Sequence, residues 1–253
     1  MAKILFFDIE TAPNIGYTWG KWEQNVIEFV QESYMLCYAY SWGEGKVKVV
    51  GLNDFDDYVA GSNNDYKLAQ SLWELLNEAD VVIAHNGKQF DIKAVNERFL
   101  YHGIEPPSNY QVVDTLLTAR NKFKCNSNKL NDLGLKLKLG KKTETGGFAL
   151  WLGCMAGEEK SWSKMKKYNR QDVVLLRLVY HKLKGWMNNH PNINTIDQTL
   201  DKARCSVCGS DHVIKAGFDP KGTTLRQRWK CLNVHCKANL YTNLKEALPL
   251  KNG

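Results

Sequence analysis

The sequence predicts an α/β fold, a mixed β-sheet flanked by helices, with a small second module at its C-terminal end. Three observations carry this. The β-rich runs Tyr34–Trp42 and Lys46–Leu52, joined by Gly43-Glu44-Gly45, give an early hairpin signal. Beyond them, short apolar runs alternate with stretches of helical spacing, the pattern of strands linked by helical crossovers. Four of the seven cysteines cluster within residues 201–253.

Element by element, Lys3–Ile9 reads as a buried strand, an apolar run that ends in acidic residues. The hairpin follows. Leu68, Leu72, Leu75 and Leu76 set a helical period over residues 65–78, and Asp80–Ala84 is a second buried strand. Asp91 to Tyr101 is helical again, Gln111–Asp114 is a short strand leading into a helix, and Leu130 to Leu137 mark a further helical stretch. The longest helical pattern runs from Ser161 to Leu183. Gly185–Thr199 is polar and Asn-rich with a proline, the composition of a linker. The expected division is a domain over residues 1–184, a linker over 185–200 and a small domain over 201–253.

Composition bounds the chemistry. At 253 residues, with 43% hydrophobic and 24% charged, the chain has ordinary globular usage and room for one large domain plus a small one. The first apolar run, Ile4–Phe7, stops at Asp8, too short for a signal peptide, and nowhere do about 18 apolar residues run together. The expectation is a soluble cytoplasmic protein without a membrane partner. Net charge is uneven: residues 201–253 carry ten basic and four acidic residues, leaving only +1 of the chain's +7 for residues 1–200. A basic module on a neutral body suggests an anionic partner, nucleic acid first, although a solvated basic tail would look the same.

Asp8 and Glu10 lie two apart at the end of the first strand, so the strand period puts both on one face. Asp91 opens the helix after the second buried strand, and Asp172 follows Tyr168 by four residues, on the same helical face. Adjacent strands could bring Asp8, Glu10 and Asp91 to one sheet edge, and a helix packed across it could add Asp172. Four carboxylates together would repel unless hard divalent cations, Mg²⁺ or Mn²⁺, neutralised them. Taken singly, each has a plainer reading: Asp91 as a helix cap, Tyr168 and Asp172 as an ordinary helical pair.

In this order the residues resemble a family. Phe7-Asp8-Ile9-Glu10-Thr11, His85-Asn86-Gly87-Lys88-Gln89-Phe90-Asp91 and Tyr168-Asn169-Arg170-Gln171-Asp172 resemble the three motifs of the DEDD 3′–5′ exonucleases, tyrosine subtype. That resemblance covers roughly residues 3–182 and implies an RNase H-like fold. It implies two Mg²⁺ or Mn²⁺ ions on Asp8, Glu10, Asp91 and Asp172, with Tyr168 orienting the attacking water. His85 and Asn86 would contact the substrate, with a structural role for His85 equally open, and Asp114 is taken as structural.

Cys205-x2-Cys208 and Cys231-x4-Cys236 fit one structural Zn²⁺ held by four thiolates, the second pair being looser than usual, with His212 or His235 as replacements. The segment resembles zinc ribbons of transposases and other DNA-handling proteins. Arg226, Arg228 and Lys230 with the intervening Trp229 suggest a strand that contacts phosphates and stacks on a base, the other reading of Trp229 being a cover for the zinc knuckle. The expected function is a stand-alone 3′–5′ exonuclease acting on DNA, on single-stranded ends. Its rivals are an exoribonuclease of the same fold and a nucleic-acid-binding or regulatory protein with a vestigial nuclease domain.

Overall fold

The computed structural model describes residues 2–23, 25–187, 190–195, 203–221 and 224–243. Five strands form a mixed sheet: β1 (Ile4–Thr11), β4 (Met35–Trp42), β5 (Lys48–Gly51), β6 (Val81–Ala84) and β7 (Gln111–Asp114). Their order is β5-β4-β1-β6-β7. The first three strands pair antiparallel, and β1, β6 and β7 run parallel. Between β1 and β4, strands β2 (Ile15–Tyr17) and β3 (Glu28–Gln31) make a separate two-stranded arm, to which the sequence reading assigned nothing. Its side chains are mostly exposed, Tyr17, Trp19 and Trp22 among them, so no burial pattern announced it.

Helices cover both sheet faces: α1 (Tyr66–Glu78), α2 (Asp91–Tyr101), α3 (Thr115–Lys122), α4 (Leu130–Lys136), α5 (Ala149–Met155) and α6 (Glu159–Leu183). The predicted helices are present, most with ends shifted by a residue or two, and α5 was not foreseen.

The alternation of β1 decides what lies where. Leu5, Phe7 and Ile9 pack with Leu68, Leu72 and Leu76 of α1 and with Val95 and Phe99 of α2. Phe6 faces the other way, onto Val173, Leu176 and Val179 of α6, with its ring edge-on to Tyr180 at 5.3 Å. Asp8 and Glu10 continue the Phe6 side, so the strand that builds the core also turns its carboxylates toward α6. At about 1.5 Å per residue, the 25 residues of α6 span roughly 37 Å, long enough to cross the sheet and reach its far end.

One buried ion pair locks the layer opposite α6. Asp65, fully buried before α1, accepts from Arg98 Nη2 at 2.7 Å, from His102 Nε2 at 2.6 Å and from the Met35 N–H at 2.8 Å. Asp65→Ala would leave the Arg98 guanidinium, itself 7% exposed, without its carboxylate. A loss of about 3–5 kcal/mol is expected, read as a lower urea midpoint; a midpoint shift worth less than about 1 kcal/mol would mean water already serves Arg98.

The C-terminal module is a three-stranded antiparallel sheet in the order β10-β9-β8, from β8 (Val213–Lys221), β9 (Thr224–Cys231) and β10 (Asn239–Asn243). Of the expected linker, Asn188, Asn189 and residues 196–200 lie outside the described residues. The rest is bonded on both sides: Tyr180 Oη meets His190 Nε2 at 2.7 Å, while Ile193 N and Asn194 Nδ2 donate to the Ser206 and Cys205 carbonyls. Among the described residues no helix is long and apolar enough to cross a membrane.

Candidate functional site

Strand β1 outruns its parallel neighbour. Phe6 pairs with Ile83, and β6 ends one residue later, so Asp8 and Glu10 stand beyond the last β1–β6 pair. This is the carboxyl end of the parallel strands, where open α/β sheets form their binding crevices. Helix α2 begins in that gap, and Asp91 at its first turn accepts the Ile9 N–H at 3.2 Å. From above, α6 brings Asp172. Carboxylate oxygens of Asp8, Glu10 and Asp172 all lie within 4.8 Å of one another. Asp91 stands beside this trio, not within that span of all three.

The trio fits a hard divalent cation. Six oxygens about 2.1 Å from one Mg²⁺ put opposite ligands about 4.2 Å apart, a separation compatible with three oxygens gathered within 4.8 Å. Asp172 Oδ1 is also buried with no hydrogen-bond partner, an acceptor left for something the protein does not supply. Asp8, Glu10 and Asp172 are therefore a possible metal site.

Two side chains that the motif reading passed over complete the centre. Asn169, fully buried on the same face of α6, donates from Nδ2 to Asp8 Oδ2 at 2.7 Å and so fixes that carboxylate. Lys142, on the segment between α4 and α5, places Nζ 2.5 Å from Asp172 Oδ2 and 3.3 Å from the Tyr168 hydroxyl. Burial pulls its ammonium down, but the charge and hydrogen bond of Asp172 more than offset this and leave it raised. Lys142 is thus a resident counter-charge in the carboxylate cluster. Tyr168 packs edge-on to Trp151, ring centroids 6.2 Å apart. Burial and then the charge of Glu10 push its hydroxyl above the usual 10, so it keeps its proton at neutral pH.

Burial, reinforced by neighbouring carboxylates, pushes the Asp8 carboxyl well up. It raises Glu10 from 4.5 to about 8, the charge of Asp172 adding to it, and Asp91 from 3.8 to about 7. In the window from about pH 4 to 8 the folded chain retains protons that the unfolded chain has released, so metal-free stability falls as pH rises. Thermal melts of protein dialysed free of Mg²⁺ and Mn²⁺ are expected to drop by several degrees from pH 5 to pH 8. Added Mn²⁺ should raise the pH 8 melt more, because the ion binds deprotonated ligands. A melt indifferent to pH would show that burial and crowding do not hold protons on these carboxylates.

The second motif is a tight turn. Asn86 takes a positive φ of 70°, and a Cβ on Gly87 would meet the Ala84 Cβ at 2.3 Å, so only glycine fits. Asp114 ties the turn down: it caps α3 through the Leu116 N–H and accepts the Asn86 and Lys88 N–H groups at 3.0 and 3.3 Å. His85 is spent on the protein. Its Nε2 donates to the Asn128 carbonyl at 3.0 Å, and Nδ1 faces the Thr115 hydroxyl at 2.9 Å, which also reaches the Ala84 carbonyl at 3.1 Å. Burial lowers its pKa to about 4, so the ring is neutral and holds the turn, with neither nitrogen free for a nucleic acid.

The cysteines converge as well. Cys205 Sγ lies 3.8 Å from Cys236 Sγ, and Cys208 Sγ lies 3.7 Å from Cys231 Sγ, with all four mutually within 4.8 Å. Sulfurs about 2.3 Å from a central Zn²⁺ form a tetrahedron with edges of about 3.8 Å, so the set fits that ion and is a possible zinc site. Hydrogen bonds from the Cys208 and Cys236 thiols pull Cys205 down to about 4, making a thiolate available. Neither His212 nor His235 joins the cluster. The looser second knuckle closes through a turn in which the Cys236 and Lys237 N–H groups both bond the Asn233 carbonyl.

The four residues expected to form one nucleic-acid strand contact do not share a face. Period two in β9 sets Arg226, Arg228 and Lys230 on one side and Trp229 on the other. Trp229 Nε1 donates to Thr242 Oγ1 at 3.0 Å, and Lys215 Nζ lies 5.8 Å from its ring centroid. Arg226 pairs with Asp219 and covers the Tyr241 ring at 4.4 Å, while Arg228 and Lys230 are exposed.

A family model described as RNase_H superfamily matches residues 38–184. The chain belongs to the RNase_H superfamily. The match covers Asp91, Tyr168 and Asp172 and begins beyond Asp8 and Glu10, which the fold brings to them. Among solved structures this superfamily member is similar to the family B DNA polymerase from the hyperthermophilic archaeon Pyrobaculum calidifontis, at 16% identity and a TM-score of 0.53. That likeness covers 72% of this chain and 24% of the polymerase, and at such identity it concerns the fold alone. A comparison with curated protein sequences finds no match.

Proposed function

We propose that this RNase_H-superfamily protein is a metal-dependent 3′–5′ exonuclease that removes nucleotides from DNA, preferentially at single-stranded ends. The observation that carries the reading is the meeting of Asp8, Glu10 and Asp172 within 4.8 Å, with a partnerless buried oxygen on Asp172. A binding-only protein gains nothing from a buried carboxylate cluster, which costs stability. Polarity and the preference for DNA rest on the resemblance of the three motifs to the DEDD exonucleases. Residues 1–184 would cut and residues 201–253 would form a zinc-held nucleic-acid-binding module, joined through 185–200.

Asp8, Glu10, Asp91 and Asp172 would hold two Mg²⁺ or Mn²⁺ ions, which when bound lower the pKa of water and neutralise charge developing on the phosphate. The remaining work falls to the chain. Asn169 keeps Asp8 aligned, and Lys142 supplies positive charge beside Asp172 and Tyr168. Tyr168, protonated near neutrality, orients the attacking water by hydrogen bonding and takes no proton from it. Cys205, Cys208, Cys231 and Cys236 would hold one structural Zn²⁺.

The decisive experiment digests 5′-labelled single-stranded and duplex DNA and RNA with Mg²⁺, alongside 3′-blocked controls. A ladder shortening from the 3′ end of DNA, stopped by the block, is expected. Equal or faster digestion of RNA would make the protein an exoribonuclease, and no digestion of any substrate would overturn the reading. Tyr168→Phe is expected to slow cleavage about 10- to 100-fold with Mn²⁺ affinity unchanged, since only the hydroxyl is lost. A fall in metal affinity matching that of Asp172→Asn would contradict a positioning role.

A further inference from the structure

Two adjoining clefts run from the carboxyl end of the parallel strands toward the cysteine module. The first, about 430 Å³, opens at the carboxyl end of β7 against Lys88 and Asp114. The second, about 660 Å³, lies between the α6 end of the body and the C-terminal sheet. Lys122 lines both, so they form one groove. Its mouth at β7 is two strands from β1, which carries Asp8 and Glu10, a strand spacing of about 10 Å.

The walls have the chemistry of a single-strand track. Lys88 and Lys122 are exposed, and neither ammonium is paired with a carboxylate among the described residues. Asp114 is the one carboxylate in the lining, and its oxygens are held by the Asn86 and Lys88 backbone N–H groups. Trp186 on the body wall and Tyr241 on the sheet wall are 58% and 51% exposed, yet both are held: Trp186 edge-on to Phe123 at 5.2 Å, Tyr241 beneath the Arg226 guanidinium. Fixed, exposed aromatic faces beside unpaired cations suit unstacked bases joined by phosphates. The two walls also touch. A Cβ on Gly185 would lie 2.2 Å from the Cys236 carbonyl oxygen, so the residue before Trp186 touches the cysteine module backbone to backbone.

We propose that this groove binds single-stranded nucleic acid on its way to the cleavage centre, phosphates on Lys88 and Lys122 and a base between Trp186 and Tyr241. The proposal deepens the nuclease reading and rests on it for direction: the 3′ end lies at the carboxylates and the upstream strand runs toward the zinc module. It brings the side of β9 that carries Arg226 into the contact, because Arg226 and Tyr241 line the seam opposite Trp186.

The test measures affinity of the full-length protein for 5′-fluorescein oligo(dT) and oligo(U), 4 and 20 nucleotides long, by anisotropy with Ca²⁺ replacing Mg²⁺. Lys122→Glu, a surface change with no packing to lose, and Trp186→Ala are each expected to weaken 20-mer binding about tenfold and 4-mer binding less than twofold. Lys122→Gln should lower the log–log salt slope for the 20-mer by about 0.7. The two oligomer series separate a DNA track from an RNA track by which one shows the loss. Affinities for both 20-mers within twofold of wild type in both charge-reversal and alanine variants, or no 20-mer binding by wild type, would overturn the track. Weakened binding in a chain that cuts nothing would keep the track and defeat the nuclease reading; normal cutting with unaltered binding would do the reverse.

Discussion

Asp172→Asn is expected to reduce Mg²⁺-dependent cleavage at least about 10³-fold while the chain stays folded. The size follows from what is removed: a charge that neutralises a divalent ion and, through it, several kcal/mol of transition-state stabilisation, where about 4 kcal/mol is a factor of 10³. The fold should survive, because the amide is nearly isosteric and Lys142 keeps Tyr168 as a partner. Asp8→Asn should be equally inactive, with a further signature. Burial and then the charges of Asp91, Glu10 and Asp172 push the Asp8 carboxyl well up, so removing its charge relieves repulsion. Its metal-free melting temperature is therefore expected to rise above wild type at pH 8, and the stabilisation by Mn²⁺ to vanish. Wild-type cleavage by either variant would remove the carboxylates from the chemistry.

The parts of this site legible in the sequence are those tied to a period. Alternation in β1 puts Asp8 and Glu10 on one side, and helical spacing puts Tyr168 and Asp172 together, so both pairs follow from local geometry. The same alternation separates Trp229 from Arg226, Arg228 and Lys230. Lys142 was illegible for a different reason. It lies on a segment with no regular structure, and only tertiary folding carries it to Asp172, 30 residues on. Asn169 stood inside the third motif, but its role needs the contact with Asp8, 161 residues away. The β2–β3 arm has no buried face to impose a pattern. Trp186 fell within a stretch whose polar composition reads as linker, because composition records nothing of the seam that Gly185 closes.

Cys205→Ser together with Cys208→Ser should cost the C-terminal module its fold. Its core is small: among the described residues, the buried members are three of the cysteines themselves with Val207 and Ala238. So little apolar area cannot offset the entropy of ordering three strands, and a four-thiolate Zn²⁺ site, worth about 10–16 kcal/mol in small zinc domains, would have to do so. The body that carries the five-stranded sheet has two cores of its own, on either side of that sheet, and should persist. The expected results are therefore paired. Zinc content measured by mass spectrometry falls from one per chain to none, and short oligonucleotides are still digested while 20-mers bind weakly. If about four phosphate contacts go with the module, the log–log salt slope of binding flattens by roughly 3, since each contributes about 0.7 on a single strand. Loss of zinc with an unchanged slope would mean that the module only buttresses the end of α6. The same variant would then show a lower melting temperature, because Ile193 and Asn194 would lose the Ser206 and Cys205 carbonyls they now bond. Salt slope and melting temperature thus report on different jobs, and a module that both binds strand and braces the body must move the two together.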